Sequence, residues 1–311
     1  MNYSFLPQVY QIEVFSRCNL KCPFCPTGIA HEPPNYASSA IDVELFKTIV
    51  ERDLGNTQFV ELQMRGEPTL HKELNTFINL VKQQNILVGF STHGGTLQLP
   101  RNMTAALSVD YLTISIDAGT EEGYNSKRVG GQWSVLVDNI DRLIKLKRQL
   151  KRSVMIDLQL IEESFTDSTW QDELYYLKHL AHQHQWTPDV TIRHLPNSNP
   201  QWMNPTNHHY PTLCLNPWFS VSIKFDGSVV PCCMAFKDEP DMVYGNVAEQ
   251  SLTEIWMGEK VHEFRMKQLD YALTKSTKTS NIPHTCATCS NKSPALFHND
   301  LIVNALKQIK G

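Results

Sequence analysis

Apolar residues follow two alternating rhythms between residues 9 and 195. Short apolar or alternating runs at 9–15, 58–64, 86–91, 111–117, 153–160 and 189–194 predict strands. Between them, apolar side chains recur every three to four residues. Leu74, Phe77, Ile78 and Val81 make such a stripe in 74–83, and Leu136, Ile140, Leu143 and Ile144 in 133–149. Trp170, Leu174, Leu177 and Ala181 make a third in 170–183. Each predicts a helix with one buried face. Repeated strand–helix units predict an α/β fold: a parallel sheet with right-handed crossovers.

The rhythm stops at 196–213, where Pro196, Asn197, Asn199, Pro200, Asn204, Pro205, Asn207 and Pro211 predict a linker. Beyond it, 219–225 alternates, Asp226-Gly227 follows, and then Ser228-Val229-Val230. Asp-Gly between two strands predicts a hairpin, because glycine accepts the positive φ of a tight turn. A helix is expected over 251–268, a polar surface loop over 271–283 and an amphipathic helix over 297–309. The expected organisation is a first domain over 1–195, a linker over 196–213, and a small α+β domain with a β-hairpin over 214–311.

A chain of 311 residues has room for two domains. Its hydrophobic content of 41% and charged content of 19% fit a soluble globular protein. The net charge of −4 supplies no electrostatic footprint for nucleic acid or an anionic membrane. The first residues lack a basic region followed by an apolar run, so no signal peptide is expected. No run approaches the ~18 apolar residues of a membrane span. A cytoplasmic protein is expected, and its eight cysteines suit reduced thiols that ligate metal.

Cys18, Cys22 and Cys25 form C-x3-C-x2-C on the loop that leaves the first predicted strand. Barrel enzymes place their chemistry at that end of a strand. Cys22-x2-Cys25 also has zinc-ligand spacing, although zinc normally takes two such pairs. Three thiolates on a 4Fe–4S cluster leave one iron open to a small molecule. With Phe24 before its last cysteine, the motif resembles the signature of the radical S-adenosylmethionine (SAM) superfamily. That resemblance implies a partial (β/α)6 TIM-like barrel, a SAM-binding 4Fe–4S cluster, and SAM itself.

Three further stretches extend the resemblance. Gly66-Glu67-Pro68 is similar to the family's GGE-type motif for the methionine amino group, with Arg65 in place of the first glycine. Ser91-Thr92-His93-Gly94-Gly95 is similar to a polar-Thr-Asn-Gly stretch whose hydroxyls meet the ribose or carboxylate, with His93 in place of the amide. Ser115 and Arg128 match a serine and an arginine used for the ribose and carboxylate, and Phe24 would flank the adenine. Asp117 reads equally as a turn cap, and His93 as a capping or a substrate residue. Gln159, Glu162, Arg193 and His194 fall at the last two strand ends, on the expected substrate side.

The other five cysteines, Cys214, Cys232, Cys233, Cys286 and Cys289, follow the linker. Their spacing fits zinc and a second 4Fe–4S cluster alike. With Asn216-Pro217-Trp218, Asp226-Gly227, Pro231-Cys232-Cys233, Gly245-Asn246-Val247 and Ile255-Trp256, they resemble the SPASM/Twitch extension of radical SAM enzymes. The resemblance implies the shorter, one-cluster form, ligated by Cys214, Cys232, Cys286 and Cys289. Cys233 is either an apolar filler or an exchange partner for Cys232.

The implied activity is reductive cleavage of SAM to a 5′-deoxyadenosyl radical that takes hydrogen from a substrate carbon. A flavodoxin- or ferredoxin-type reductant would supply the electron. An auxiliary cluster would accept an electron from the substrate radical, which favours dehydrogenation of a small polyol, sugar or cyclitol alcohol. His194 or Glu162 would then take the hydroxyl proton. Modification of a ribosomally made peptide is the alternative, and a non-enzymatic metal-binding protein is a third reading.

Overall fold

Strands form where the apolar runs stand, and most are shorter than the runs. The computed structural model describes residues 6–25, 27, 40–55, 57–161, 170–195, 213–235, 240–287 and 289. The order is β1 (Val9–Ile12), α1 (Val43–Asp53), β2 (Phe59–Glu61), α2 (Leu74–Gln83), β3 (Leu87–Thr92) and α3 (Pro100–Ser108). Then come β4 (Tyr111–Ser115), α4 (Glu121–Lys127), α5 (Trp133–Gln149), β5 (Met155–Ile161), α6 (Trp170–Gln183) and β6 (Val190–Leu195). The three helices predicted from apolar stripes keep their bounds. In α5, Leu136, Ile140, Leu143 and Ile144 are buried, each worth roughly 1.5–3 kcal/mol when fully removed from water.

Three helices lack so plain a stripe. Pro100 starts α3, where its missing N–H costs nothing. Thr120 caps α4 by accepting from the Gly123 N–H at 3.1 Å.

The chain divides into two compact bodies, one of Glu13–Val43 and Glu61–Ser198, the other of Met1–Ile12, Glu44–Val60 and Asn199–Gly311. In the first body the strand order is β6-β5-β4-β3, all parallel. Register pairs Ser91 with Thr113, Thr113 with Asp157, and Asp157 with Thr191. Ser115, Gln159 and Arg193 form the next row. Because side chains alternate, these rows make one polar face, bordered along β5 by Met155 and Ile161. The other face carries Phe90, Leu112, Ile114, Ile156, Leu158 and Ile192 in matching rows.

In the second body the order is β2-β1-β7-β8-β9, with β7 at Ser220–Ile223, β8 at Ser228–Val230 and β9 at Gly245–Asn246. Strand β7 runs parallel to β1, and β7, β8 and β9 are successively antiparallel. The hairpin turn lies at Asp226-Gly227, and Gly227 has φ +85°. Neither strand order closes on itself.

Besides α1, this body holds α7 (Asn216–Phe219), α8 (Leu252–Met257), α9 (Glu259–Thr274), α10 (Thr277–Ser280) and α11 (His284–Ala287). Two expectations are corrected here. The helix expected over 251–268 is two helices, because Gly258 is extended (φ −74°, ψ 167°) and caps the second. The loop expected over 271–283 holds the last turn of α9 and all of α10. The helix runs on because Tyr271 continues the buried series Val261, Phe264, Arg265 and Gln268 at helical spacing. It ends at Lys275, which is left-handed. The helix expected over 297–309 lies outside the described residues, as does nearly all of the expected linker. Among the described residues, no helix is long and apolar enough to cross a membrane.

Candidate iron–sulfur and cofactor sites

The cysteine loop of the first body is braced from both sides. Glu67 donates its N–H to the Arg17 carbonyl at 2.8 Å, one residue before Cys18. Gly66 sits so close to this stem that a Cβ would stand 2.2 Å from the Phe15 carbonyl oxygen and 2.5 Å from that of Arg17. Glycine is required there by backbone approach. Arg65, which replaces the family's first glycine, forms a bidentate pair with Glu13, Nε to Oε1 at 2.8 Å and Nη2 to Oε2 at 3.2 Å. Glu13 is fully buried, so this guanidinium offsets a charge that water cannot reach.

Glu67 is 3% exposed. Its Oε1 accepts from the Thr69 N–H at 3.2 Å, the Thr69 hydroxyl at 2.5 Å and the Thr92 hydroxyl at 2.7 Å. Its Oε2 accepts from the His93 N–H at 2.9 Å. The carboxylate therefore ties the end of β3 to the loop after β2. Pro68 begins a short 3-10 turn for which Glu67 is the cap.

His93 has a defined tautomer. Its Nδ1 accepts from the Gly95 N–H at 3.0 Å, so Nε2 carries the proton and donates to Asn19 Oδ1 at 3.0 Å. Burial lowers its pKa, against the pull of Glu67. A neutral His93 thus braces the cysteine loop at Asn19.

Cys22 is buried, and Cys18 and Cys25 are half-buried. Burial pushes Cys18 up to about 12, and Glu67, Cys22 and Cys25 add to the effect. Such thiols ionise when an iron centre supplies the opposing charge, so the donor set fits the expected cluster. Arg128 stands beside them, with Nη1 3.8 Å from Cys22 Sγ and its guanidinium 5.2 Å from the Phe24 ring centre. Its Nη2 pairs with the buried Asp117 carboxylate. Burial opposes the Arg128 charge, but Asp117 and the cysteines outweigh it and raise the pKa. Asp117 is left-handed (φ +55°) and accepts from the Ile161 N–H at 2.8 Å.

Ser91 and Ser115 lie on the polar face, and Ser91 donates to Glu61 at 3.3 Å. Gln159 and Arg193 share that face and bond at 2.9 Å. Arg193 also pairs with the buried Asp157 at 2.6 Å. His194, the expected base, is on the opposite face, stacked on Trp170 with ring centres 4.0 Å apart. Glu162 lies outside the described residues.

In the second body, Cys214, Cys232, Cys286 and Cys289 line one cavity. Cys233 does not line it. Helix α9 assembles this cage. Arg265 donates to the Pro217 carbonyl at 2.8 Å, holding the segment after Cys214. Tyr271 donates to the Ala287 carbonyl at 3.1 Å, holding the segment between Cys286 and Cys289. Burial raises the Cys232 thiol well above its usual range, and the four other cysteines add to that. Among the described residues, no three His, Cys, Asp or Glu side chains converge on a single metal ion. Four thiols lining one cavity supply the donor set that a 4Fe–4S cluster takes. Sequence reasoning passed over Asn19, Arg265, Gln268 and Tyr271. Only the last three left a signal, as polar members of a buried helical series.

A thiol triad on a strand–helix repeat and a four-cysteine cage in a second body define an iron–sulfur protein. The family model of the radical SAM superfamily matches residues 12–162, and that of the SPASM iron–sulfur cluster-binding domain matches residues 214–290. The chain belongs to the radical SAM superfamily and is an enzyme. Its cofactors are SAM, a SAM-binding 4Fe–4S cluster and auxiliary iron–sulfur in the SPASM domain.

It is similar to the tungsten-containing aldehyde ferredoxin oxidoreductase cofactor-modifying protein of Pyrococcus furiosus, 24% identical over 320 aligned positions covering 86% of each chain. It is also similar to the S-adenosyl-L-methionine-dependent 2-deoxy-scyllo-inosamine dehydrogenase of Niallia circulans, 22% identical over 82% of this chain and 84% of that one. Among solved structures, BtrN in complex with AdoMet and 2-DOIA shares the fold, with a TM-score of 0.55 and 17% identity over 93% of this chain and 98% of that one.

Proposed function

We propose that this enzyme is an oxidoreductase that dehydrogenates an alcohol carbon of a small, hydroxyl-rich molecule of the polyol, sugar or cyclitol type. The observation that carries the reading is the cavity lined by Cys214, Cys232, Cys286 and Cys289. Four thiolates leave a cluster no open iron for substrate, so its use is electron transfer. An electron acceptor of that kind suits a reaction that ends in net oxidation.

In this reading residues 1–195 carry the radical chemistry and 214–311 the auxiliary cluster, joined by 196–213. Bound SAM on the N-terminal cluster supplies the 5′-deoxyadenosyl radical that removes substrate hydrogen. The chain's own part is to hold and orient. Cys18, Cys22 and Cys25 ligate the first cluster. Phe24, Gly66, Glu67, Pro68, Ser91, Thr92, Ser115 and Arg128 form the SAM site. Gln159 and Arg193, on the polar face of β5 and β6, meet a polar substrate. Glu162 takes the hydroxyl proton; the stacking of His194 on Trp170, on the opposite face of β6, favours it over His194. A flavodoxin- or ferredoxin-type protein delivers the electron. The names of the two relatives support a small substrate: one describes cofactor modification and the other dehydrogenation of an inosamine.

The test is anaerobic turnover of the reconstituted enzyme with a panel of polyols and cyclitols, reading 5′-deoxyadenosine and ketone together. The expected result is one ketone per nucleoside. Cys286→Ala should still cleave SAM with a chemical reductant but form no ketone. Cleavage that yields only redox-neutral or peptide products would reject the reading.

A further inference from the structure

The cage of four cysteines contains a polar side chain that the protein leaves unsatisfied. Gln268 projects from α9 into the wall of the cavity and is 1% exposed. Among the described residues, neither its Nε2 nor its Oε1 has a hydrogen-bond partner. Tyr244 repeats the pattern. It is 3% exposed, its hydroxyl is likewise unpartnered, and the fields of Cys286, Cys232 and Cys214 reach it. Its ring packs edge-on against Phe264, also on α9, with centres 5.4 Å apart.

Buried polar groups without partners cost free energy, and an apolar residue of similar shape would avoid that cost. One such group in the cavity wall, and a second packed against the same helix, point to an acceptor in the cavity. A methionine at 268 and a phenylalanine at 244 would fill the same space. What glutamine and tyrosine add is an N–H and an O–H. Thiolate and sulfide sulfurs accept such bonds, which strengthen as charge accumulates on the cluster.

We propose that the Gln268 amide and the Tyr244 hydroxyl donate hydrogen bonds to the sulfurs of the cluster held by Cys214, Cys232, Cys286 and Cys289, and so raise its reduction potential. The inference rests on the reading of that cluster as an electron acceptor and says how the chain makes it one. Donors to sulfur stabilise the more negative, reduced form. Both residues act on the cluster and not on substrate, so they are positioning and tuning residues.

The experiment uses the full chain with Cys18, Cys22 and Cys25 all replaced by Ala, which isolates the auxiliary cluster. Its potential is titrated anaerobically by electron paramagnetic resonance in this parent and in Gln268→Met and Tyr244→Phe. Each substitution should make reduction about tenfold less favourable, a shift of about 59 mV for one electron, with iron content unchanged. Pulsed resonance of the reduced parent in D2O should show exchangeable deuterons coupled to the cluster, and each variant should lose one class of them. The deuteron measurement needs no variant, so a misfolded substitution does not remove the test. Potentials within twofold of the parent, or no coupled deuterons, would overturn the inference and leave the electron-acceptor reading standing. A parent whose cysteines hold zinc or no iron would overturn both.

Discussion

Replacing Glu67 with Gln separates two roles that the position could play, as a charge for SAM and as a brace between loops. The carboxylate already accepts four hydrogen bonds, from the Thr69 N–H and hydroxyl, the Thr92 hydroxyl and the His93 N–H. Glutamine keeps one oxygen. The less costly rotamer leaves that oxygen at the Oε1 position, facing three donors, and turns its NH2 toward the His93 N–H. One charge-assisted bond is lost, about 1.5–3 kcal/mol, and three others drop to neutral strength, roughly half each. Removal of a buried charge returns part of this. A net loss of about 3 kcal/mol is expected.

At about 2–4 °C per kcal/mol for a body of this size, the melting temperature of the cofactor-free protein should fall by roughly 6–12 °C. Circular dichroism under anaerobic conditions, with no SAM and no iron, reads that quantity directly. A Glu67→Gln variant that melts within about 1 °C of the parent while SAM binding is lost would refute the brace. That outcome would assign the carboxylate to the cofactor alone.

Gly66→Ala should cost the N-terminal cluster, because its Cβ would meet the Phe15 and Arg17 carbonyl oxygens at 2.2 and 2.5 Å and push the cysteine stem aside; iron and sulfide analysis should fall toward half while the auxiliary signal persists. Cys233→Ala should keep about eight irons per chain, the content of two 4Fe–4S clusters, whereas Cys286→Ala should lose up to half, since only Cys286 of these two lines the cavity. His71 is buried, its Nδ1 accepts from the Glu73 N–H at 3.0 Å, and burial lowers its pKa despite its contact with the Ile41 carbonyl. A base held neutral stabilises the fold fully above its unfolded pKa of about 6.5 and loses that contribution as pH falls below it. The stability gap between the parent and His71→Asn should therefore narrow from pH 7 to pH 5 in urea titrations.

Periodicity gave the strands and three helices because their apolar residues pack on a single layer, as Leu136, Ile140 and Leu143 do. It missed α4, whose seven residues are held by a cap and by Glu173, which accepts from the Gly119 N–H at 2.7 Å across a long sequence gap. The cysteine ligand candidates were legible from spacing. What orders them was not, because Arg265 and Tyr271 act through backbone carbonyls at Pro217 and Ala287, which carry no side-chain signature. His194 shows the limit of reading strand ends. It and Arg193 are adjacent in sequence, yet alternation sends them to opposite faces, and the polar row chosen by Asp157 and Gln159 takes Arg193.

The two departures from the family pattern have a common physical sense. At position 65 a small residue would leave Glu13 buried without its bidentate partner, and Arg65 supplies it. At position 93 an amide would be too short to bridge from Gly95 to Asn19, and the imidazole spans both through its two nitrogens. Both substitutions replace reach toward a ligand with reach toward the cysteine loop. A radical generator needs its cluster loop fixed to within a fraction of an ångström, since a small displacement of reacting groups costs orders of magnitude in rate. Arg65 and His93, together with the Glu67 backbone N–H, fasten that loop through buried bonds at Glu13, Asn19 and the Arg17 carbonyl. The loop that carries Cys18, Cys22 and Cys25 is thereby held by bonds from the chain's own buried side chains and backbone.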